Sequence, residues 1–140
     1  MDLGLTGKVA VITGGTQGIG RAAALRLAAE GACVVVCARG QQQLDETATQ
    51  IRAAGGKVHT VAADVSRAQD CERIVDEAVR AFGGIDILVN NAGTSATGEF
   101  EKTSDEAWQA DFDLKLFAAI RLARLAIPQM KARGGGRIVN

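Results

Sequence analysis

Tyrosine does not occur in this chain, so no phenol is available to act as a general acid. Histidine occurs once, at His59, inside a strand-like stretch, and is expected to be a strand residue without catalytic duty. Cysteine occurs three times, at Cys33, Cys37 and Cys71; the count is odd and no two form a C-x-x-C pair, which supports neither a disulfide framework nor a zinc site. Cys33 and Cys37 fall on one face of an expected strand, where small buried thiols are common, and a reducing cytoplasm is the expected setting. Net charge is lacking as well. Sixteen basic residues balance 16 acidic ones, which removes the electrostatic case for nucleic acid or an anionic membrane surface as partner. No apolar run is long enough to span a bilayer, and the opening Met1-Asp2-Leu3-Gly4 lacks the basic region of a signal peptide. Repeats, low-complexity stretches and linkers are also missing, so 140 residues are expected to form one unit.

What is present alternates in period. With 47% hydrophobic and 23% charged residues the composition is that of an ordinary globular protein. Short apolar runs at Lys8–Thr13, Ala32–Ala38, Lys57–Ala62, Ile85–Asn90 and Arg137–Asn140 read as strands. Between them lie helical segments, the clearest carrying Cys71, Ile74, Val75, Ala78, Val79 and Phe82 on one stripe. Ser66 with Gln69, and Thr103 with Glu106, have capping-box spacing. Gly31, Gly55-Gly56, Gly83-Gly84 and Gly134-Gly135-Gly136 follow helical segments, where glycine supplies the left-handed turn that ends a helix. Strand and helix alternating in this way imply a doubly wound α/β fold: a parallel sheet with helices on both faces. The segment from Asp105 to Arg133 is apolar around much of its circumference, with Leu114, Phe117, Ala118, Leu122 and Leu125 on one face and Leu116, Ala119, Ile120, Ala123, Ile127 and Met130 on others. Packing inside its own domain and a subunit interface both fit that pattern.

The stretch Thr13-Gly14-Gly15-Thr16-Gln17-Gly18-Ile19-Gly20 follows the first strand and opens a helix. Glycine there lets the backbone turn tightly off the strand and approach an anion without a Cβ in the way, while the helix adds free N–H groups and its positive end. Ile19, Ala23 and Leu27 are expected to seat that helix on the sheet. A structural turn without ligand is the plainer alternative. At the end of the second strand stands Cys37-Ala38-Arg39-Gly40, with no acid. An acid there would hydrogen-bond the ribose hydroxyl of NAD, whereas arginine pairs with the 2′-phosphate of NADP, so Arg39 favours NADP over NAD and argues against a methyl-donor site. A solvated surface arginine is its other reading. Asp64-Val65 closes the third strand, placed either to meet an adenine or simply to enter a helix.

The pattern T-G-x-x-x-G-x-G at Thr13 to Gly20, Asp64-Val65, Asn90-Asn91-Ala92-Gly93 after the fourth strand, and Gly135-Gly136-Arg137-Ile138-Val139-Asn140 resembles the short-chain dehydrogenase/reductase family, and looks closest to its 3-oxoacyl-carrier-protein reductase-like branch. The resemblance implies a Rossmann-type sheet and an NADP site made of Gly14, Thr16, Gln17, Gly18, Ile19, Gly20, Arg39, Asp64, Val65, Asn91, Ala92 and Gly93, with Asn91 to Gly93 also bracing the central sheet. It implies hydride transfer between a ketone and a secondary alcohol, and a homotetramer or homodimer. In this family a serine, a tyrosine and a lysine beyond the fifth strand do the chemistry. No position of this chain matches them; Ser66, Ser95 and Ser104 suit loop and capping roles instead. Lys115 stands where the family usually has an asparagine that holds a relay water, and two readings stay open: a lysine that supports the relay, or one whose charge escapes to solvent. Residues 1–140 are thus expected to be an incomplete NADP-binding domain, ending in its fifth strand with an open sheet edge, that binds without catalysing. A non-catalytic dinucleotide-binding module and half of a split enzyme are the alternatives.

Overall fold

The computed structural model describes residues 1–140. Five strands, β1 (Val9–Thr13), β2 (Cys33–Ala38), β3 (Lys57–Ala62), β4 (Ile87–Val89) and β5 (Arg137–Val139), form one parallel sheet in the order β3-β2-β1-β4-β5. Helices α1 (Gly18–Ala29), α2 (Gln41–Ala53), α3 (Ala68–Phe82), α4 (Asp105–Phe112) and α5 (Ala118–Ala132) make the connections. The winding reverses between β1 and β4, which opens a crevice above the carboxyl ends of those strands. No helix is long and apolar enough to cross a membrane.

Strand alternation divides the core in two. Ala10, Ile12, Val34 and Val36 face Ala24 and Ala28 of α1 and Leu44 and Ile51 of α2. Val9, Val11, Val35, Cys37 and Leu88 face Cys71, Ile74 and Ala78 of α3 and Leu122, Ala126 and Met130 of α5. Because both faces of β1 and β2 are covered, their sequences read as unbroken apolar runs rather than as alternation. Burying each of the larger side chains contributes about 1.5–3 kcal/mol. The expected glycine stops take a common form. After α1, Gly31 (φ 88°) donates to the Ala28 carbonyl and Ala32 to that of Leu27, the paired bonds of a left-handed helix stop. The same pair recurs after α2 and α5.

Three local expectations are corrected. Helix α1 buries Gly20, Ala24 and Ala28, and the expected Leu27 packs partly buried against the same core together with Leu25, but Ile19 is 83% exposed and does not seat the helix. Ser66 does not cap α3, whose N-cap is Arg67; its hydroxyl donates to Asp64 at 2.6 Å instead. At α4 the cap is Ser104, which accepts from the Ala107 N–H at 3.2 Å, while the Thr103 hydroxyl is taken by the Glu99 carbonyl.

The segment expected as one long helix is α4 and α5 joined by a π-helical stretch, Asp113–Phe117. Only Ala118, Leu122, Ala126 and Met130 of α5 are buried, so the chain's own packing covers one face. Phe117, expected on that face, is exposed together with Trp108, Phe112, Leu116, Ile120 and Ile127. The π turn places an extra residue in one turn of the helix and so rotates its two halves relative to each other.

One carboxylate sits deep in the fold. Asp86 accepts from the Val9 N–H at 2.8 Å and from Arg133 Nε at 2.9 Å, which ties the chain entering β4 to β1 and to the end of α5. Burial opposes its charge, but the Arg133 hydrogen bond and the Val9 N–H outweigh it and hold the carboxyl below the usual range.

Candidate functional site

The carboxyl end of β1 is the hub. Thr13 is almost fully buried, and its hydroxyl accepts from the N–H groups of Asn91 and Ala92, both at 3.0 Å, while donating to the Val89 carbonyl at 3.4 Å. The Asn91 side chain answers in the opposite direction: its Nδ2 donates to the Thr13 carbonyl at 3.2 Å and the Gly14 carbonyl at 3.1 Å. Together these bonds clamp the ends of β1 and β4 at the point where the sheet reverses.

That clamp explains two of the glycines. Gly14 has φ 62°, and a Cβ there would lie 3.0 Å from the Ala92 Cα. A Cβ on Gly20 would run into the Gly14 carbonyl and the Asn91 amide. The loop, the first turn of α1 and Asn91 can meet only if both positions lack side chains. Gly15, which sequence reasoning did not assign, is buried against Val36 of β2. Gln17, the N-cap of α1, makes no side-chain capping bond, so the first-turn N–H groups are left for a ligand.

Gly14, Thr16, Gln17, Gly18, Ile19, Arg39, Asp64, Val65, Asn91, Ala92 and Gly93 line one crevice of about 860 Å³. The volume is within the range of small-molecule and cofactor sites. Gly20 lies behind Gly14 and shapes the floor without lining it. Lys115 is also outside the lining. It lies in the π stretch, its stem near Gly93, and its ammonium pairs with Asp111 Oδ1 at 2.8 Å. Leu114 and Ala110, its helix neighbours, do reach the crevice.

The far wall is built by β2 and β3. Arg39 is exposed and makes no hydrogen bond or ion pair within the chain. The Asp64 carboxylate accepts from the N–H of Ser66 at 3.0 Å and from its hydroxyl, while the Asp64 N–H donates to Asp70 Oδ2 at 2.7 Å. That backbone bond, helped by Arg73, holds the Asp70 carboxyl below its ordinary range despite some burial. Val65 is buried and its carbonyl accepts from Cys71 Sγ at 3.2 Å. The three cysteines are free and buried, and burial pushes the Cys37 thiol far up, which disfavours its thiolate. His59, paired with Glu77 at 3.1 Å, lies away from the crevice. Gly40, Gln43, Ser66 and Thr94 also line it without having been singled out in the sequence. Gly40, Ser66 and Thr94 directly follow Arg39, Val65 and Gly93, so adjacency in sequence was the signal for them, whereas Gln43 lies a full helical turn beyond Arg39.

A family model described as short chain dehydrogenase matches residues 8–140. Among curated relatives, the oxidoreductase YvrD of Bacillus subtilis (strain 168) is 41% identical over 140 residues, covering 100% of this chain and 52% of the relative. Among solved structures, L-sorbose reductase from Gluconobacter frateurii, complexed with NADPH and L-sorbose, superposes with a TM-score of 0.96 at 46% identity, over 99% of this chain and 53% of that one. A 7α-hydroxysteroid dehydrogenase complexed with NADH and 7-oxo glycochenodeoxycholic acid gives 0.92 at 33% identity, over 96% of this chain and 52% of that one. The chain therefore spans about half the length of these proteins. The matches do not single out a 3-oxoacyl-carrier-protein reductase-like branch.

Proposed function

The chain belongs to the short-chain dehydrogenase/reductase family, and on that premise we propose that residues 1–140 form the NADP-holding part of an oxidoreductase that interconverts a ketone and a secondary alcohol. The observation that carries this reading is the glycine floor. Gly14 and Gly20 let the loop, the first turn of α1 and Asn91 pack into a floor that a Cβ at either position would disrupt, whereas a Cβ at Gly18 would meet nothing within 4 Å. The N–H groups of the first turn of α1 have no side-chain cap. Those N–H groups suit the pyrophosphate, Asp64 and Val65 suit the adenine, and Asn91 to Gly93 suit the ribose and nicotinamide end. When bound, the cofactor supplies the hydride. The residues here bind it, orient it and shelter one side of it from water.

Arg39 supports NADP over NAD, because its guanidinium stands free at the end of β2 and no acid follows that strand within the first turn of α2. The serine, tyrosine and lysine implied by the family resemblance match no position in these 140 residues, so the proposed role of the residues present is cofactor binding. Lys115 is proposed as a member of the proton relay, since it stands beside Gly93 at the helix stretch nearest the crevice; its ion pair with Asp111 suits a solvated lysine equally. A small carbonyl compound is the proposed substrate, the cytoplasm the proposed setting, and a homodimer or homotetramer the proposed assembly, its interface on the exposed apolar face of α4 and α5. Titrating this chain with NADPH and NADH, followed by nicotinamide fluorescence, tests the reading. Tighter binding of NADPH is expected; no binding of either at millimolar ligand would overturn it.

A further inference from the structure

We propose that Gln43 is a second specificity-determining residue of the crevice, its carboxamide donating to the ribose 2′-phosphate beside Arg39; the inference rests on the NADP reading above. Three consecutive glutamines open α2, and they differ in what they do. Gln41 donates to Asp45 at 2.8 Å and Gln42 to Glu46 at 3.1 Å, so both amides are spent on the acids of the next turn. The Gln43 carboxamide has no hydrogen-bonding partner in the chain, and it lines the crevice together with Arg39 and Gly40.

Its position depends on Gly40. The Gln43 Oε1 lies back over the start of α2, where a Cβ on Gly40 would overlap it. Gly40 has φ −89° and ψ 116°, which any residue adopts, so its backbone does not require glycine; a methyl there would instead push the flexible, exposed Gln43 amide off its present place. No acid stands in the first turn of α2, although the positive end of a helix ordinarily favours one there. A neutral donor at Gln43 and a cation at Arg39 thus face the same space, and a carboxylate at either position would repel a phosphate.

Binding of NADPH and NADH to the chain, measured by fluorescence for wild type, Arg39→Ala, Gln43→Ala, Gln43→Glu and Gly40→Ala, tests this. Gln43→Ala is expected to weaken NADPH about tenfold, the loss of one hydrogen bond to a charged group, and to leave NADH within about twofold. Gln43→Glu is expected to weaken NADPH by about a hundredfold while leaving the melting temperature unchanged or higher, since the new charge suits the helix start. Gly40→Ala should weaken NADPH in the wild-type background and do nothing further once Gln43 is alanine. If Arg39→Ala loses NADPH selectively but both Gln43 variants retain it within about twofold, the Gln43 assignment is overturned and the NADP reading stands. Equal affinity of the wild type for NADH and NADPH, or affinity for neither, overturns both.

Discussion

Replacing Gly20 with alanine sets two physical effects against each other. Gly20 is in the first turn of α1 with an ordinary helical backbone, where alanine would by itself stabilise by about 0.5–1 kcal/mol. The structure points the other way, because the new methyl would collide with the Gly14 carbonyl and the Asn91 amide. Overfilling a packed site costs about 1–3 kcal/mol. Moving Asn91 aside also strains its two hydrogen bonds, to the carbonyls of Thr13 and Gly14, each worth about 0.5–1.5 kcal/mol. The net expectation is a loss of about 2–4 kcal/mol, or roughly 6–15 °C in melting temperature for a domain of this size. Thermal denaturation followed by circular dichroism measures it. Gly18→Ala is the control: its Cβ would meet nothing within 4 Å, so only the left-handed φ of 52° costs, about 1 kcal/mol. A Gly20→Ala protein as stable as wild type, or more stable, would refute the packing of loop, helix and Asn91 described above.

Thr13→Val keeps the shape but removes the acceptor of the Asn91 and Ala92 N–H groups; a loss of about 2 kcal/mol is expected in urea denaturation, with weaker NADPH binding as the clamp loosens. The depressed Asp86 carboxyl makes its contribution above the ordinary aspartate pKa of about 3.9 and loses it as pH falls through the lower folded value. The stability advantage of wild type over Asp86→Asn should therefore be full above about pH 5 and shrink in acid, and a gap that widens on acidification would contradict the Arg133 pairing. Arg133→Ala, which leaves a buried carboxylate with only the Val9 N–H, should cost about 1–3 kcal/mol near neutral pH.

The sheet was legible in the sequence because β1, β2 and β4 are short apolar runs, each entered two or three residues after a glycine, and because a strand covered on both faces needs no alternation. The seating of α1 was misjudged for the converse reason. Hydrophobicity favoured Ile19, which is exposed, whereas the buried contacts fall to the small Gly20, Ala24 and Ala28, with Leu27 packed beside them. The capping boxes had the right spacing, but Ser66 and Thr103 found nearer acceptors in Asp64 and the Glu99 carbonyl. A π turn leaves the apolar pattern of a long helix almost unchanged, so the break at Asp113–Phe117 had no visible mark. Within the crevice, parallel strands deliver their carboxyl ends to one edge, which is why Gly14, Arg39, Asp64 and Asn91 could be placed together from their strands alone. Gln43 could not, because it sits on the polar start of a helix where one glutamine among three carries no signal.

The most direct test of the central claim, that this crevice holds the dinucleotide, is amide chemical-shift mapping of the isotope-labelled chain with NADPH. Shifts are expected at Gly14 to Gly20, Arg39 to Gln43, Asp64 to Ser66 and Asn91 to Gly93, with the amides around Lys8 and Gly134 to Arg137 at the opposite end of the sheet unmoved. Shifts confined to that opposite end, or none at saturating NADPH, would contradict it.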